Sequence, residues 1–271
     1  MAKRAFCVGI NDYQYDESDL KGCVNDAKAW ADLLETHFDF DEVNLLLDAD
    51  ATRDNILAGV QDLLDNAQDG DVLVYTFSGH GTYLADTSGD EVTIYEEAQC
   101  PYDCEDYLIV DDEWRELFAN IPQGVQLTVI SDSCFSGSVT RRPPGAPRIQ
   151  TPDDRRKRFL NPGLIKGNKV LDKEKREKAR EALKEKYPES GMNEILLAGC
   201  SDEQFSYDAL IDGDYHGAMT YFAIKAITEA NFDITYADLH KKVVRMISDA
   251  RFKQSPQLEG KEDNKQRKIF S

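Results

Sequence analysis

The sequence lacks a long apolar run, a disulfide-like cysteine pattern and an excess of positive charge. No stretch reaches the roughly 18–20 uninterrupted apolar residues that a membrane-spanning helix needs. The basic start of the chain meets Asn11 and Asp12 before a signal-peptide core could form. The chain has 32 Lys and Arg against 51 Asp and Glu, and this formal net charge of −19 argues against nucleic acid and membrane surfaces as main partners. Cations and basic polypeptides are the partners that this charge favours.

The six cysteines are scattered over 271 residues. A chain of this length can bury a sufficient hydrophobic core without disulfide bonds, so we expect reduced thiols and a cytoplasmic protein. Hydrophobic residues make up 41% of the sequence, which excludes intrinsic disorder for most of it.

Short apolar runs alternate with amphipathic segments along most of the chain. The runs predict strands at residues 5–10, 43–47, 72–77, 107–110, 125–130 and 194–198. The amphipathic segments predict helices at residues 24–38, 52–67, 113–120, 218–230 and 236–249. Nearly continuous apolar strands separated by helices predict an α/β fold with a mostly parallel central sheet and helices on both faces.

One segment departs from this alternation and from the acidic composition. Residues 141–186 contain 16 Lys or Arg against 7 Asp or Glu, a local charge of +9, so the rest of the chain carries −28. Pro, Gly and dense charge predict an exposed insertion at about 141–190, ending in a Lys/Glu-rich helix around residues 172–187. It is either a solvated loop with a surface helix or a segment that contacts an acidic site in the same protein.

Two of the predicted strands end in residues that can carry nucleophilic chemistry. His80 follows the strand at 72–77, and Cys134 follows the strand at 125–130. Active sites of open α/β sheets gather at the carboxyl ends of strands, so we expect the two side chains to face each other across a crevice. An ordinary thiol, with a pKa near ~8.5, is only a few per cent thiolate at neutral pH, and a nearby imidazole orients or deprotonates it. Gly81 leaves the backbone free to offer an N–H to a developing oxyanion.

The sequence around these residues resembles a known family. Ser78-Gly79-His80-Gly81 and Asp132-Ser133-Cys134-Phe135-Ser136-Gly137 together resemble the paired signatures of metacaspases and their bacterial relatives, within the caspase-like cysteine peptidases. Further similar stretches lie at residues 9–13, 20–27, 100–103, 109–113 and 255–258, so the resemblance covers essentially the whole chain. It implies a single domain (1–271) of caspase-like fold, in which the basic insertion separates a large part (1–140) from a small part (191–271).

The resemblance also implies a mechanism. It assigns Cys134 as nucleophile, His80 as base, and the N–H groups of Gly81 and Cys134 as oxyanion donors, with no cofactor required for the chemistry. Metacaspases often have His at the position of Phe135, and we expect this departure to change the wall of the site and not the dyad.

Specificity can be argued from charge. Asp26 and Asp132 beside the dyad would repel an acidic side chain and suit Arg or Lys, which makes an Asp-specific caspase a poor match. The alternative for Asp26 is capping of the helix in which it lies. The resemblance to metacaspases implies a pocket for the residue before the cleaved bond. The residues of this chain that match its lining are Asp26, Asp132, Cys23 and Ser78.

The insertion and an acidic stretch suggest two further properties. The candidate self-processing bonds follow Arg141, Arg142, Arg155, Arg156, Lys157 or Arg158.

Calcium is a possible activator, because hard oxygen ligands suit Ca²⁺ and because Asp111 and Asp112 match the acidic pair that binds it in many metacaspases. The alternative for Asp111 is a helix N-cap. The preceding acidic residues, which we expect to crowd one loop, are Asp86, Asp90, Glu91, Glu96, Glu97 and Asp103.

The sequence therefore predicts a cysteine endopeptidase that cleaves polypeptides after Arg or Lys, acting as a monomer or weak dimer without nucleic-acid or membrane partners. The alternative is a caspase-like regulatory or interaction module whose intact dyad is held inactive by the basic insertion.

Overall fold

Twelve strands and seven helices are formed by the described residues of the computed structural model, which are 1–14, 16–65, 67–88, 91–134, 155–201 and 204–271. The strands are β1 (Lys3–Gly9), β2 (Glu42–Leu47), β3 (Val72–Ser78), β4 (Gly81–Ser88), β5 (Glu91–Gln99), β6 (Ile109–Val110), β7 (Gln126–Asp132), β8 (Arg156–Lys157), β9 (Ile195–Ala198), β10 (Tyr207–Ile211), β11 (Asp214–Gly217) and β12 (Gln257–Glu259). The helices are α1 (Cys23–His37), α2 (Arg53–Asp65), α3 (Asp111–Ala119), α4 (Lys173–Lys186), α5 (Ala218–Glu229), α6 (Tyr236–Asp249) and α7 (Glu262–Lys265).

The largest sheet has six strands in the order β12-β9-β7-β3-β1-β2. All its pairs are parallel except β12 with β9. This confirms the predicted α/β fold with a mostly parallel sheet. The run predicted at 107–110 becomes β6, which pairs with β5 and belongs to a smaller sheet.

The side chains of the central strands alternate between two hydrophobic cores. In β1, Ala5 and Cys7 belong to the core that contains α1, α5 and α6, whereas Phe6 and Val8 belong to the core that contains α2 and α3. Successive side chains of a pleated strand point to opposite faces of the sheet, so this alternation is expected of a strand that is buried on both faces. Full burial of one such apolar side chain contributes roughly 1.5–3 kcal/mol.

The acidic stretch that we expected to form a loop is instead the hairpin of β4 and β5, so that expectation was wrong. Tyr83, Ala85 and Tyr95 are buried together with Leu171, which comes from the basic insertion. Asp86 and Glu96 lie on the opposite face from these residues, and Glu97, on the same face, is paired with Arg180, which explains how a strongly charged sequence forms strands here.

The expectation of an exposed insertion also needs correction. Helix α4 is charged, but Arg158 has no exposed surface and Leu160 is 2% exposed. Both lie where the chain passes the carboxyl ends of β3 and β7. Buried carboxylates and backbone groups from distant parts of the chain pair with this stretch, as described below.

No helix within the described ranges is long and apolar enough to cross a membrane. All six cysteines are free thiols.

Candidate active site

The two motif-bearing strands lie side by side and end at the same edge of the sheet. In the parallel pair of β3 and β7, Ser78 lies opposite Asp132. His80 and Cys134 therefore each follow their strand by two residues. Gly81 approaches the backbone of Cys134 so closely that a Cβ at residue 81 would collide with the carbonyl group of Cys134. Only glycine permits this approach.

The basic insertion crosses this edge as a short strand. Strand β8 pairs with β10 in antiparallel orientation, and the N–H of Arg158 continues the pairing by donating to the carbonyl of Ser206 at 3.0 Å. The carbonyl oxygen of Arg158 accepts two hydrogen bonds, from the N–H of Gly81 at 3.0 Å and from the N–H of Cys134 at 3.1 Å. The peptide carbonyl of Arg158 is thus held between the two N–H groups that were predicted to be oxyanion donors.

The side chain of Arg158 is buried among three carboxylates. Its Nη2 lies 2.6 Å from Oδ2 of Asp26 and 3.1 Å from Oδ1 of Asp208. Its Nη1 donates to the carbonyl of Asp132 at 3.0 Å and lies 3.5 Å from Oδ2 of the same residue. A guanidinium group suits such a pocket because its N–H groups point in several fixed directions.

Asp26 is held by donors that leave it facing the guanidinium. Ser78 donates to its Oδ2 at 3.2 Å, and the N–H of Gly217 lies 3.1 and 3.0 Å from its two oxygens. Burial raises the pKa of Asp26, while Arg158 and His216 act in the opposite direction. The hydrogen bond to Asp26 in turn raises the pKa of His216.

The alternative role for Asp26, capping of α1, belongs to another residue. The Oδ1 of Asn11 accepts from the N–H groups of Cys23 and Val24, at 2.8 and 3.3 Å. Cys23 is buried beside the same carboxylates, and its burial raises the pKa of its thiol well above the ordinary value. All four residues predicted to line the pocket (Cys23, Asp26, Ser78 and Asp132) are therefore buried around Arg158.

Asp132 and Asp208 are also fixed by hydrogen-bond donors outside the insertion. The N–H of Thr220 donates to Oδ2 of Asp132 at 2.9 Å, and the hydroxyl of Ser206 donates to its Oδ1. Asp208 accepts from the N–H groups of Lys21 and Gly22, both at 2.9 Å. Three of these four donors are backbone N–H groups, so the fold itself orients the carboxylates toward Arg158.

Asp208 was missed in the sequence, because the hairpin of β10 and β11 was not predicted. The signal was present: Asp212 and Gly213 have φ angles of +52° and +98°, and Asp-Gly is the preferred pair for a tight hairpin turn.

The imidazole of His80 is buried in its neutral form. Its pKa is lowered to about 4, mainly by burial. The Nε2 atom is hydrogen bonded to the carbonyl of Ser18, which can only accept, so Nε2 carries the proton and Nδ1 carries the lone pair. Nδ1 is buried and makes no hydrogen bond of good geometry among the described residues, although the backbone carbonyl of Arg158 is close enough to raise the pKa of the ring. The backbone N–H of His80 donates to the hydroxyl of Tyr13 at 2.8 Å.

The thiol of Cys134 is buried beside the Ser206 backbone. Its Sγ lies 3.5 Å from the Ser206 carbonyl and accepts from the N–H of the same residue. Both side chains of the predicted dyad are described, and no hydrogen bond joins Sγ to the His80 ring in this arrangement. The distance between a thiol and its base often shortens only when the reacting complex forms.

Comparison with known proteins identifies the family. A family model described as "Metacaspase, peptidase C14 domain" matches residues 3–143. The chain belongs to the metacaspase family of cysteine-type peptidases. It is 30% identical to Metacaspase-1 of Scheffersomyces stipitis, with 94% of this chain and 70% of that protein covered. It is 41% identical to Metacaspase-4 of Arabidopsis thaliana over 147 residues, which cover 51% of this chain but only 34% of the plant protein.

A solved structure supports the fold assignment. Caspase-1 from Spodoptera frugiperda has a TM-score of 0.53 at 10% identity, with 96% of this chain and 85% of that chain covered. This similarity confirms the caspase-like fold. This chain matches only about a third of the length of Metacaspase-4 of Arabidopsis thaliana.

The acidic pair predicted to bind Ca²⁺, Asp111 and Asp112, lies in the first turn of α3. Asp111 begins α3 but is not its N-cap, which is Val110. Asp112 is paired with Arg115, whose Nη1 is also 3.8 Å from Asp111. Within the described ranges, no group of three or more His, Cys, Asp or Glu side chains could hold a metal ion. Calcium binding by Asp111 and Asp112 stays a prediction.

Several predicted features of the site lie outside the described residues. They are Asp90 in the acidic stretch, Phe135 beside the nucleophile, and the candidate processing positions Arg141 and Arg142.

Proposed function

We propose that the chain is a cysteine endopeptidase that cleaves after Arg or Lys, and that its own Arg158–Phe159 bond is its first substrate. One observation carries the proposal: Arg158 has its guanidinium between carboxylates and its carbonyl between two N–H groups next to the Cys134 thiol. Of the six candidate processing positions, Arg158 is the one that this geometry supports.

In the proposed reaction, Sγ of Cys134 attacks the carbonyl carbon of Arg158. The developing oxyanion is stabilised by the N–H groups of Gly81 and Cys134, which already hydrogen bond to this oxygen. The Nδ1 atom of His80 accepts the thiol proton and delivers it to the nitrogen of Phe159 as the C–N bond breaks. Water then attacks the thioester, His80 takes a proton from it, and the Arg158 carboxylate is released as the thiol re-forms.

The neutral state of His80 supports its assignment as the base. A pKa lowered to about 4 keeps the imidazole unprotonated near neutral pH, and the tautomer set by Ser18 leaves the lone pair on the buried Nδ1. The ring is therefore free to accept a proton, although a pKa this far below 7 makes it a weaker base than an ordinary imidazole.

The pocket charge supports the choice of substrate. Three buried carboxylates, Asp26, Asp132 and Asp208, surround a single guanidinium. An acidic side chain would add a fourth negative charge without a counter-charge, which is strongly unfavourable in a buried site. Lysine would pair with fewer of these oxygens because its ammonium is a single point charge, so we propose that Arg is preferred over Lys.

One observation favours the alternative, a restrained regulatory module. The insertion fills the pocket, and the Cys134 thiol hydrogen bonds to Ser206 and not to His80. If the Arg158–Phe159 bond is never cut, the same geometry describes an enzyme that is held inactive.

Intact-mass spectrometry of the purified chain over time separates the two functions. We expect a cut between Arg158 and Phe159 in the wild type and in the control Arg155→Gln, which changes a cation that packs on Phe252 away from the pocket. Cys134→Ala and Arg158→Gln should remove that cut. Uncut protein with no turnover of Arg, Lys or Asp reporter peptides, in Ca²⁺ or in chelator, would establish the restrained module. The same two conditions test calcium activation.

A further inference from the structure

The chain beyond Arg158 continues along β4 as an ordered ligand would. The N–H of Leu160 donates to the carbonyl of Gly81 at 2.9 Å, and Phe159 forms a parallel bridge with Gly81. The hydroxyl of Thr82 donates to the carbonyl of Leu160 at 3.0 Å. Gly81 therefore contacts the chain on both sides of the Arg158–Phe159 bond. Thr82, the next residue of β4, contacts Leu160, the second residue after that bond.

The two side chains that follow the bond lie against apolar surfaces. Leu160 is 2% exposed and belongs to the hydrophobic core that includes Cys100 and Ile109. Phe159 is half-buried, with its ring centroid 6.5 Å from that of Tyr83 and 6.1 Å from that of Phe205 in an edge-to-face arrangement. Aromatic pairs at such distances attract each other beyond simple burial.

Thr82 carries a polar group that the proposed reaction does not use. It has no exposed surface, and the carbonyl of Leu160 is the acceptor of its hydroxyl. A fully buried hydroxyl needs such a partner, because leaving it unpaired is costly. A strand end with a backbone acceptor, a buried hydroxyl donor and two apolar contact surfaces has the elements of a peptide-binding site.

We propose that Gly81, Thr82 and Tyr83 of β4, together with Phe205, bind the two residues after the scissile bond and select an aromatic residue followed by an aliphatic one. This inference rests on the proposed peptidase function and adds to it a second determinant of substrate choice. Polypeptides containing Arg-Phe-Leu, the sequence at residues 158–160, represent the favoured class. The aromatic residue packs between Tyr83 and Phe205, and the aliphatic residue enters the site that Leu160 occupies here.

The test compares internally quenched peptides on the full-length wild-type protein. All carry Arg-Lys-Arg before the bond, followed by Phe-Leu, Ala-Leu, Phe-Ala or Ala-Ala. Because the second residue is the more deeply buried, Leu→Ala there should lower kcat/KM by about tenfold. Phe→Ala at the first residue should lower it by about fivefold, since that ring stays partly exposed.

Thr82→Val tests the hydroxyl at nearly constant volume. The readout is a ratio: kcat/KM for the Phe-Leu peptide divided by kcat/KM for a reporter amide that ends at Arg. Thr82→Val should lower this ratio by about fivefold, which corresponds to the loss of one hydrogen bond. Thr87→Val, farther along the same strand, is the matched control and should leave this ratio unchanged.

Two results would overturn the inference. Kcat/KM values for the four peptides that agree within about twofold would show that the residues after the bond are not selected. An intact reporter under all conditions would instead refute the peptidase function, and this inference with it. The peptide series uses the unaltered protein, so it decides the question even where Thr82→Val fails to fold.

Discussion

Replacing Arg158 by Met should strongly destabilise the uncut protein. Arg158, Asp26 and Asp208 have no exposed surface, and Asp132 is 1% exposed. Methionine retains much of the apolar stem, so the main loss is the positive charge. Removing one partner from a buried ion pair costs roughly 3–5 kcal/mol, because the remaining charge is left uncompensated. That is a large part of the 5–15 kcal/mol that is typical of a folded domain.

The effect should depend on pH in a defined direction. Burial raises the pKa of Asp26, and the guanidinium of Arg158 opposes this rise. Without the guanidinium, the buried carboxyl of Asp26 binds a proton more readily in the folded chain than in the unfolded chain. A group whose pKa rises on folding stabilises the fold as pH falls, and this stabilisation is lost as pH rises. The destabilisation should therefore be smaller near about pH 5.5 than near about pH 7.5.

Urea unfolding of Cys134→Ala, with and without Arg158→Met, measures this difference without interference from self-cleavage. Arg245→Met is the matched control: its partner Asp249 is 74% exposed, and such pairs contribute at most about 1 kcal/mol. Millimolar ethylguanidinium should partly restore the stability of Arg158→Met by entering the pocket, and choline at equal ionic strength should not. A loss below about 1 kcal/mol at neutral pH, or a loss that grows on acidification, would contradict the description of the pocket as buried and negatively charged.

Two further predictions concern single groups of the site. Asp208→Asn removes a charge that faces Nη2 of Arg158 and keeps one of the two oxygens that accept from the N–H groups of Lys21 and Gly22, so steady-state kinetics should show kcat/KM for an Arg reporter falling about tenfold. An unchanged value would mean that Asp208 only shapes the backbone. The lowered pKa of His80, about 4 in the folded state against about 6.5 when unfolded, should make the free energy of unfolding rise by about 3 kcal/mol between those pH values. In His80→Gln, this pH-dependent rise in urea stability should disappear, and its persistence would assign the titration to another group.

The central sheet could be predicted from the sequence because its strands carry their own signal. The runs at 5–10, 43–47, 72–77, 125–130 and 194–198 became β1, β2, β3, β7 and β9 of the largest sheet. Each is apolar enough to be recognised without knowledge of its neighbours. The sixth strand, β12, is three residues long and pairs at the edge, so its sequence contains too little pattern to identify it.

The two hairpins were missed for different physical reasons. In β4 and β5, outward acidic residues hide an alternation whose inward members are Tyr83, Ala85 and Tyr95. The β10–β11 hairpin had a recognisable Asp-Gly turn but short strands. Missing it also meant missing Asp208, since a carboxylate in an unassigned segment has no predictable neighbours.

Charge alone also fails to explain why Arg158 is the cation that occupies the pocket. Its neighbours are positively charged as well, yet Lys157 packs over the ring of Phe205 and Arg156 donates to the carbonyl of Asp19. These residues differ in their register in the sheet. Strand β8 pairs Arg156 with Asp208 and Lys157 with Tyr207. The carbonyl of the following residue, Arg158, then accepts hydrogen bonds from the N–H groups of Gly81 and Cys134. A slip by one residue would turn successive side chains to opposite faces and present Lys157 or the apolar Phe159 to the carboxylates. The attraction of a +9 segment for an acidic site can bring the chain to this edge, but strand pairing decides which peptide bond lies beside the thiol.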